Sequence, residues 1–377
     1  MNNFFQDLKE NVINQYKQCQ AYKLLCDSQG FNPSINLNTE KDIENIPFIA
    51  TTLFKKSADI FKHLLRVPVE TIEKWTVSSS TSGDPSMVGR RRQELMQIGE
   101  INERDKEITR PYIVQECVFY PEPEVMRKHK SEMILGRPTE SYMGNLLDLF
   151  EFKEGTIFLV KEEDEDLTID IDKFKNFIIK HDQLEEHLAI RGSTLLIFNA
   201  IKELEETMRP VKLGKNVLVH TGGGGWEGKK GNISTGIAIT RQEFVETVAS
   251  FLGIPEENFI DGYSFTENTC GILGHYSKEY KDYLFHVPKW GKVIIRDIKT
   301  LKPLYNPGDR GFVQILNAYG TDSFAGASIL VDDIAEIVSM DQCPDCNKYA
   351  MTIKVIGRVK GAEAKGCGAT LNVRSEI

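Results

Sequence analysis

The sequence predicts an α/β protein, with mixed and parallel strands covered by helices and a smaller β region in its C-terminal third. Three observations support this prediction. Short apolar strands alternate with helical segments between residues 156 and 208, which favours a parallel sheet. The glycine run Gly222–Gly225 follows a third apolar strand. From residue 292 onward, apolar or alternating segments stand between Gly and Pro turns, as in antiparallel β structure.

The composition narrows the class of protein. A chain of 377 residues with 41% apolar and 27% charged residues is expected to be globular. Its net charge of −9, without a basic cluster, argues against nucleic acid as a partner. We see neither a signal peptide nor an apolar run near the ~18 residues of a membrane span, so a cytoplasmic location is expected. The seven cysteines are then expected to be reduced. The oligomeric state is left open.

The N-terminal segment, residues 1–75, is predicted to be mostly helical and to pack on a core formed by residues 76–270. Apolar residues recur at helical spacing over the first ~25 residues, which predicts one amphipathic helix. A start signal at Asn38–Asp42 predicts a short helix. Polar and apolar residues then alternate through Glu73–Val77, which indicates a strand.

The core is predicted to consist of βα units. Its strands are Thr156–Val160, Ser193–Phe198 and Lys215–His220, and a further strand opens at Phe259. The predicted helices are Arg90–Arg110, Ile171–His187, Ala200–Met208 and Arg241–Leu252.

The C-terminal third is predicted to be a smaller β subdomain over residues 271–358, followed by a short tail over residues 359–377. Its predicted strands are Lys292–Asp297, Gly311–Leu316, Ala335–Met340 and Met351–Ile356.

A segment rich in hydroxyl groups, Thr76–Pro85, directly follows Trp75. Ser and Thr side chains compete with the backbone for hydrogen bonds, so this segment should be a loop. Its hydroxyls and free N–H groups suit polyphosphate oxygens, whereas composition alone supports a Ser/Thr linker equally well.

The four glycines Gly222–Gly225 suit a flat or charged ligand at the end of a strand, and the alternative is a flexible hairpin. With the polar turn at Tyr263–Glu267, these loops indicate a nucleotide site.

The loops resemble the motifs of the adenylate-forming enzymes. Ser78–Pro85 resembles their phosphate loop, Gly222–Trp226 their adenine-binding loop, and Tyr263–Glu267 their Tyr-Gly-x-Thr-Glu motif. Asp333 stands where they carry a ribose-binding aspartate, and Gly357-Arg358 where they have Gly-Arg before a hinge. Within that superfamily the sequence is most similar to the acyl-protein synthetases of bacterial fatty-acid reductase complexes, and more distantly to phenylacetate-CoA ligases. This similarity rests on Pro47–Lys55, Thr221–Trp226, His286–Trp290, Leu301–Pro303 and Lys365–Cys367.

The sequence also departs from these motifs. Ser80 and Ser264 replace glycines that are usual there, and Ser86 stands where the phosphate loop customarily has a lysine. The resemblance implies the large N-terminal domain of these enzymes, with the mobile C-terminal domain absent or vestigial. The region between Arg110 and Phe150 aligns with nothing in the family and is expected to contribute to the acid pocket.

The resemblance implies ATP-dependent activation of a carboxylic acid, with ATP and Mg²⁺ at the site and an acyl-reductase as protein partner. It implies that Thr266 and Glu267 lie at the α-phosphate and Mg²⁺, although an isolated carboxylate is more often a solvated surface group. It also implies that Tyr263 flanks the adenine, that Asp333 accepts from the ribose and that Arg358 lies near the ribose. The implied phosphate-loop residues are Ser79, Ser80, Thr81, Ser82 and Gly83, with Thr81 catalytic, and the implied adenine-loop residues are Gly223, Gly224 and Gly225.

An acyl acceptor is predicted at Cys367. Flanking glycines leave its sulfur accessible and Lys365 favours the thiolate, although a small buried thiol near the terminus is the alternative. It also matches the acylated cysteine of the similar family. His286 matches a family histidine that would contact the acyl-adenylate, while a structural histidine is an equal alternative.

A zinc site is a further possibility raised by Cys343-Pro-Asp-Cys346. Two more ligands are needed for a tetrahedral ion, and Cys270 with His275, or His286, are the candidates. A β-turn that carries two thiols is the alternative interpretation. Three functions therefore remain in competition: an acyl-protein synthetase, a CoA ligase that borrows a C-terminal domain, and a nucleotide-binding subunit without catalysis.

Overall fold

One mixed sheet of thirteen strands organises the described part of the chain. The computed structural model describes residues 3–78, 84–103, 112–163, 166–222, 224–226, 229–230, 233–234 and 238–358. Helices cover this sheet, so the predicted α/β class is confirmed. In the described ranges, the α-helices are α1 Phe4–Gln18, α2 Gln20–Ser28, α3 Pro33–Asn36, α4 Arg92–Glu103, α5 Pro123–Lys128, α6 Tyr142–Leu147, α7 Ile171–Lys180, α8 Thr194–Thr207 and α9 Arg241–Leu252. The 3₁₀ turns are Glu40–Asn45, Thr51–Phe54, Lys56–Ala58, Phe61–Leu64, Val69–Thr71 and Glu256–Asn258.

The strands pair in one large and three small sheets. They are β1 Ile49–Ala50, β2 Lys74–Val77, β3 Met87–Arg90, β4 Gln115–Phe119, β5 Met133–Ile134, β6 Arg137–Ser141, β7 Ile157–Phe158, β8 Val160–Glu163, β9 Asp166–Ile169, β10 Leu188–Gly192, β11 Val217–Gly222, β12 Lys229–Lys230, β13 Ile233–Ser234, β14 Phe259–Tyr263, β15 Ile272–Ser277, β16 Asp282–His286, β17 Gly291–Arg296, β18 Pro303–Leu304, β19 Arg310–Asn317, β20 Ser328–Ser339 and β21 Thr352–Arg358.

The large sheet has a parallel half and an antiparallel half. Its strand order is β18-β17-β19-β20-β21-β16-β15-β14-β11-β10-β4-β7, with β1 beside β20. Strands β7, β4, β10, β11 and β14 run parallel to one another. From β14 to β18 in this order, every neighbouring pair is antiparallel, while β1 pairs parallel with β20. The carboxyl ends of the parallel strands therefore meet at one edge, where open α/β sheets bind ligands.

The second predicted βα unit needs a correction. Ser193–Phe198 is not a strand, because the strand is β10 and helix α8 begins directly after it at Thr194. Gly192 ends β10 at φ 142°, and a Cβ there would lie 2.7 Å from the Phe119 side chain. The apolar run Leu195–Ile197 is the start of a helical pattern that continues through Ala200, Ile201 and Leu204, all of which are buried. A short apolar run does not distinguish a buried strand from a buried helix.

Two predicted helices also differ in their bounds. The N-terminal amphipathic segment is two helices, α1 and α2, which meet at Cys19 in an extended conformation. Helix α7 ends at Lys180 rather than at His187. The four strands predicted in the C-terminal third are present as β17, β19, β20 and β21, and they pair with the strands of the core in the same sheet. The division of the chain into domains remains a prediction.

Within the described ranges, no helix combines the length and the apolarity that a membrane crossing requires.

Candidate active site

The hydroxyl-rich loop connects two strands of a small separate sheet. Strands β2 and β3 pair antiparallel, with Val77 opposite Met87. Beyond them, Ser78 and Ser86 close the base of the loop: the Ser78 N–H donates to the Ser86 carbonyl at 3.2 Å, and the Ser86 N–H donates to the Ser78 hydroxyl at 2.9 Å. The prediction of a loop that leaves a strand at Val77 thus agrees with the structure at its base. The proposed phosphate-binding residues Ser79, Ser80, Thr81, Ser82 and Gly83 lie outside the described residues.

Thr266 and Glu267 lie beside the base of this loop and are almost completely buried. They are 1% and 2% exposed, and neither Thr266 Oγ1 nor Glu267 Oε1 has a hydrogen-bond partner within the described residues. Burial raises the pKa of Glu267, while a hydrogen bond with Ser86 and the charge of Lys55 oppose this rise. Buried polar atoms normally have partners. These two orphaned oxygens therefore fit a site that a phosphate and a metal ion would complete.

Arg90 connects the loop strand to the Thr266 turn. Its side chain is fully buried, and it donates to the Thr266 carbonyl at 2.7 Å and to the Gly320 carbonyl at 3.1 Å. It also contacts Thr76 Oγ1 at 3.3 Å, and its guanidinium lies 4.8 Å from the ring centroid of Phe324. Because three segments distant in sequence share this one side chain, Arg90 fixes the position of the Thr266 backbone. Sequence reasoning missed Arg90, which ends a short strand and belongs to no motif.

The glycine loop after β11 opens toward a free space. Gly224 and Gly225 have φ angles of 74° and 103°, which favour glycine. A Cβ built on Gly224 would meet nothing within 4 Å, so a flat ligand can approach the backbone there. Trp226 anchors the loop instead of facing this space, because its ring packs on Phe244 at 5.7 Å. Gly223 lies outside the described residues.

Tyr263, Asp333 and Arg358, predicted around adenine and ribose, are brought together. The Tyr263 hydroxyl donates to Asp333 Oδ2 at 2.8 Å. Asp333 pairs directly with Arg358 across the β20 and β21 ladder. Gly222 at the start of the glycine loop pairs with Gly262, the residue before Tyr263. The two motifs predicted to bind adenine and the one predicted to bind ribose are therefore brought together.

A cavity of about 290 Å³ adjoins these predicted nucleotide-binding residues, and Gly222 and Tyr263 are among its lining residues. Its apolar wall comes from α6 and the segment that follows, and the strand ends of β10, β11 and β14 form the opposite wall. The end of the region between Arg110 and Phe150, from Tyr142 onward, thus lines this cavity. Burial raises the pKa of the lining residue Tyr142 to about 12, so its phenol remains protonated at neutral pH. The apolar wall consists mainly of Met143, Leu146, Leu147, Leu149, Phe150 and Phe152.

Three polar residues line one side of the same cavity. Arg191 Nε donates to Glu116 Oε2 at 2.5 Å, and Arg191 Nη1 donates to His220 Nδ1 at 2.8 Å. An accepting Nδ1 places the proton of a neutral His220 on Nε2. Glu116 is 3% exposed, so its charge requires this partner. Sequence analysis missed these residues. For Arg191 the available signal is a charged residue near the carboxyl end of a parallel strand. It was overlooked because this strand was predicted at Ser193–Phe198, five residues too late.

A cluster of two histidines and two cysteines lies at the antiparallel side of β14. The ligand atoms of His275, His286, Cys343 and Cys346 all lie within 4.8 Å of one another. His275 Nδ1 is 2.9 Å from His286 Nε2, and Cys346 Sγ is 3.4 Å from the same nitrogen. Two imidazoles and two thiols form a ligand set that zinc prefers.

This cluster contains three of the four predicted zinc ligands. Cys270 is not part of this cluster. Its sulfur packs against Gly291 instead, so closely that a Cβ built on that glycine would lie 2.2 Å from it. His286 completes the cluster instead, and its Nδ1 contacts Thr352 Oγ1 at 3.2 Å. His275 Nε2 also contacts Asp345 Oδ2 at 2.8 Å, and carboxylates in this position commonly orient histidines that bind metal ions. Each cysteine in the described ranges is a free thiol. The predicted acceptor Cys367 lies outside the described residues.

Comparison with solved structures finds the same fold in 2-hydroxyisobutyryl-CoA ligase. An open conformation of that enzyme, in complex with 2-HIB-AMP and CoA, is similar with a TM-score of 0.63 and 14% identity, over 95% of this chain and 74% of that one. Its postadenylation state in complex with R3-HIB-AMP is similar with a TM-score of 0.63 and 13% identity, over 94% and 67% of the two chains. A search of curated proteins finds no match.

The sequence matches a family model over nearly its whole length. The model is described as "Acyl-protein synthetase, LuxE" and covers residues 2–375. This match and the shared fold support activation of a carboxylic acid. The chain therefore belongs to the acyl-protein synthetase (LuxE) family, and it is a ligase with the fold of the adenylate-forming enzymes.

Proposed function

We propose that this ligase uses ATP and Mg²⁺ to convert a carboxylic acid to an acyl-adenylate and then transfers the acyl group to the thiol of Cys367. The observation that carries the proposal is the pair of buried, orphaned oxygens, Thr266 Oγ1 and Glu267 Oε1. They lie between the base of the hydroxyl loop and the motifs around Tyr263, which adjoin the 290 Å³ cavity. This arrangement supports adjoining sites for the phosphates, the nucleoside and the acid.

The first step is substitution at phosphorus. A carboxylate oxygen of the acid attacks the α-phosphorus of ATP, and the bond to the bridging oxygen of pyrophosphate breaks with its electron pair. Negative charge on the phosphoryl oxygens must be stabilised. The Thr266 hydroxyl can donate to the α-phosphate, and Glu267 can hold Mg²⁺. Bound there, Mg²⁺ supplies positive charge that offsets the charge of the phosphates.

The nucleoside is held by neighbouring residues. Gly224 and Gly225 leave room for the adenine plane, and Tyr263 borders it. Asp333 is placed to accept hydrogen bonds from the ribose hydroxyls, and Arg358 lies opposite it on the neighbouring strand. The apolar wall of the cavity accepts the carbon chain of the acid and excludes water from the adenylate, which supports a fatty or similarly apolar acid.

The second step is acyl transfer. The Cys367 thiolate attacks the acyl carbon, a thioester C–S bond forms, and AMP leaves with the electron pair of the C–O bond. The thiol proton passes to solvent before the attack. We further propose that this thioester is delivered to an acyl-reductase partner in the cytoplasm.

The acceptor proposal is tested with ATP, Mg²⁺ and a labelled long-chain fatty acid. The wild-type protein is expected to retain hydroxylamine-labile label on a denaturing gel, and mass mapping is expected to place it on Cys367. Cys367→Ala should abolish this label while acid-dependent ATP–pyrophosphate exchange persists, because adenylation takes place before the acyl group is transferred to the thiol. Exchange with acyl-CoA formation but no protein label would instead indicate a CoA ligase. A protein without exchange would contradict adenylation itself.

We also propose a structural zinc ion at His275, His286, Cys343 and Cys346. When bound, zinc would fasten the β15–β16 hairpin to the turn that carries both thiols. Protein purified without chelator is expected to contain about one zinc per chain, measured by atomic emission. Cys346→Ser should lower the zinc content and the Tm together. A fully folded, metal-free wild-type sample would contradict this site.

A further inference from the structure

We propose that Lys55 binds the β- and γ-phosphates of ATP and supplies the positive charge that the hydroxyl loop lacks. The inference deepens the proposed function and rests on it. The segment from Thr76 to Gly89 contains no Lys or Arg, and its single charged residue is Asp84. A loop of neutral hydroxyls with one carboxylate is a poor site for a triphosphate unless a cation approaches from elsewhere.

The chain segment that carries Lys55 runs along the exit of the loop. Lys55 forms an antiparallel β-bridge with Ser86. The next residue, Lys56, donates its N–H to the Pro85 carbonyl at 2.9 Å. Ser57 then donates to Asp84 from its N–H at 2.8 Å and from its hydroxyl at 2.5 Å. These contacts fix the Lys55 backbone beside the residue that follows the loop.

The bridge partner of Lys55, Ser86, is hydrogen-bonded to Glu267, so Lys55 leaves the backbone beside the proposed phosphate site. With Lys56, the charge of Lys55 also contributes to a lowered pKa of Asp84, in the same direction as the hydrogen bonds from Ser57 and against the effect of burial. The side chain of Lys55 is half-buried, and within the described residues it forms none of the ion pairs at 4.0 Å or less. It is therefore a cation available for an anionic ligand.

Two other basic residues beside the loop base, among those that the structure describes, are already occupied. Lys56 is exposed and forms an ion pair with Glu132 at 2.6 Å. Arg90 is fully buried and donates to two carbonyls of the fold. Thr52, three residues before Lys55, has a buried Oγ1 without a hydrogen-bond partner in the described ranges, as does Thr266. These hydroxyl donors and the Lys55 ammonium fit phosphoryl oxygens, which only accept hydrogen bonds.

The test compares ATP and AMP binding by calorimetry on the full chain in the presence of Mg²⁺. Lys55→Met retains the length of the side chain and removes its charge. We expect it to raise the Kd for ATP about 10- to 100-fold, the usual effect of a lost charge-assisted hydrogen bond. The Kd for AMP should remain unchanged, since AMP lacks the β- and γ-phosphates. Lys55→Arg should recover most of the ATP affinity.

The matched control is Lys56→Met, which removes the neighbouring charge and should leave both Kd values unchanged. Wild-type ATP affinity in Lys55→Met would overturn the role of Lys55 and leave the proposed function intact. An equal loss of ATP and AMP affinity in Lys55→Met would also overturn it, because it would indicate a structural role for the side chain. A wild-type protein that binds neither nucleotide would overturn both proposals.

Discussion

Glu267→Gln is expected to lower acid-dependent ATP–pyrophosphate exchange by about 10²- to 10³-fold, comparable to the loss of one strong transition-state contact. The substitution retains the shape of the side chain and removes the anionic oxygen that would hold Mg²⁺. Raising the Mg²⁺ concentration should restore part of the rate. Glu279→Gln, on an exposed turn, is the control and should retain full exchange. Full activity in Glu267→Gln would exclude the carboxylate as a metal ligand.

The same substitution is expected to stabilise the ligand-free protein at neutral pH. Burial raises the pKa of Glu267 in the folded state, so folding favours its protonated form. The contribution of this group to stability is therefore complete below its unfolded pKa and is lost as pH rises through the folded pKa. Glu267→Gln should raise the Tm at pH 7.5, and the difference should disappear once the pH falls below the unfolded pKa of the carboxyl group. A variant that is less stable than the wild type at pH 7.5 would contradict the orphaned state of this oxygen.

Arg90→Met is expected to reduce the free energy of unfolding by about 3–5 kcal/mol. It would leave the buried acceptors at Thr266, Gly320 and Thr76 without their shared donor, and each buried acceptor without a donor costs about 1–3 kcal/mol. Urea denaturation measures the effect, with exposed Arg92→Met as a control. Arg90→Lys retains the charge but not the planar fork, so it should recover only part of the loss. A change below about 1 kcal/mol would mean that these carbonyls find other donors.

Arg90→Met should also weaken ATP binding in molecules that remain folded. The Thr266 carbonyl accepts directly from Arg90 at 2.7 Å, so its removal frees the backbone that carries Thr266 Oγ1 and Glu267. We expect a raised Kd for both ATP and AMP, unlike the selective effect predicted for Lys55→Met. Equal binding by folded Arg90→Met and wild type would show that the turn holds its position without this residue.

The sequence predicted well what local chemistry determines. The strand before the hydroxyl loop and the strand that ends at Tyr263 lie where the pattern placed them, because turn residues mark their ends. Ser193–Phe198 was wrong for an equally local reason. Its apolar run is short, and only the later burial of Ala200, Ile201 and Leu204 shows the helical period. The strand of this unit is instead Leu188–Gly192, a segment that contains Arg191.

The rest of the site depends on contacts between distant segments. Arg90 and Thr266 are 176 residues apart, and Arg191 and Glu116 are 75 apart. Neither pair has a spacing that a pattern search would detect. The sequence did name His286 as a candidate ligand, but its place beside Cys346 follows from the β15–β16 hairpin and from β21, the strand that follows the turn with both thiols. Lys55 belongs to this class, since its proximity to Ser86 comes from a backbone bridge between two loops.

The N-terminal segment packs against strand β20, which the ribosome synthesises much later. Ile49 in β1 pairs with Ile329 in β20, and Gln15 accepts from the Ala327 N–H at 2.9 Å. A ribosome must therefore produce about 300 residues after α1 before that helix meets its partners between Asn317 and Ala327. Contacts of such long range slow folding and leave apolar surface exposed meanwhile. We expect the buried faces of α1 and α2 to be chaperone-binding segments of the nascent chain.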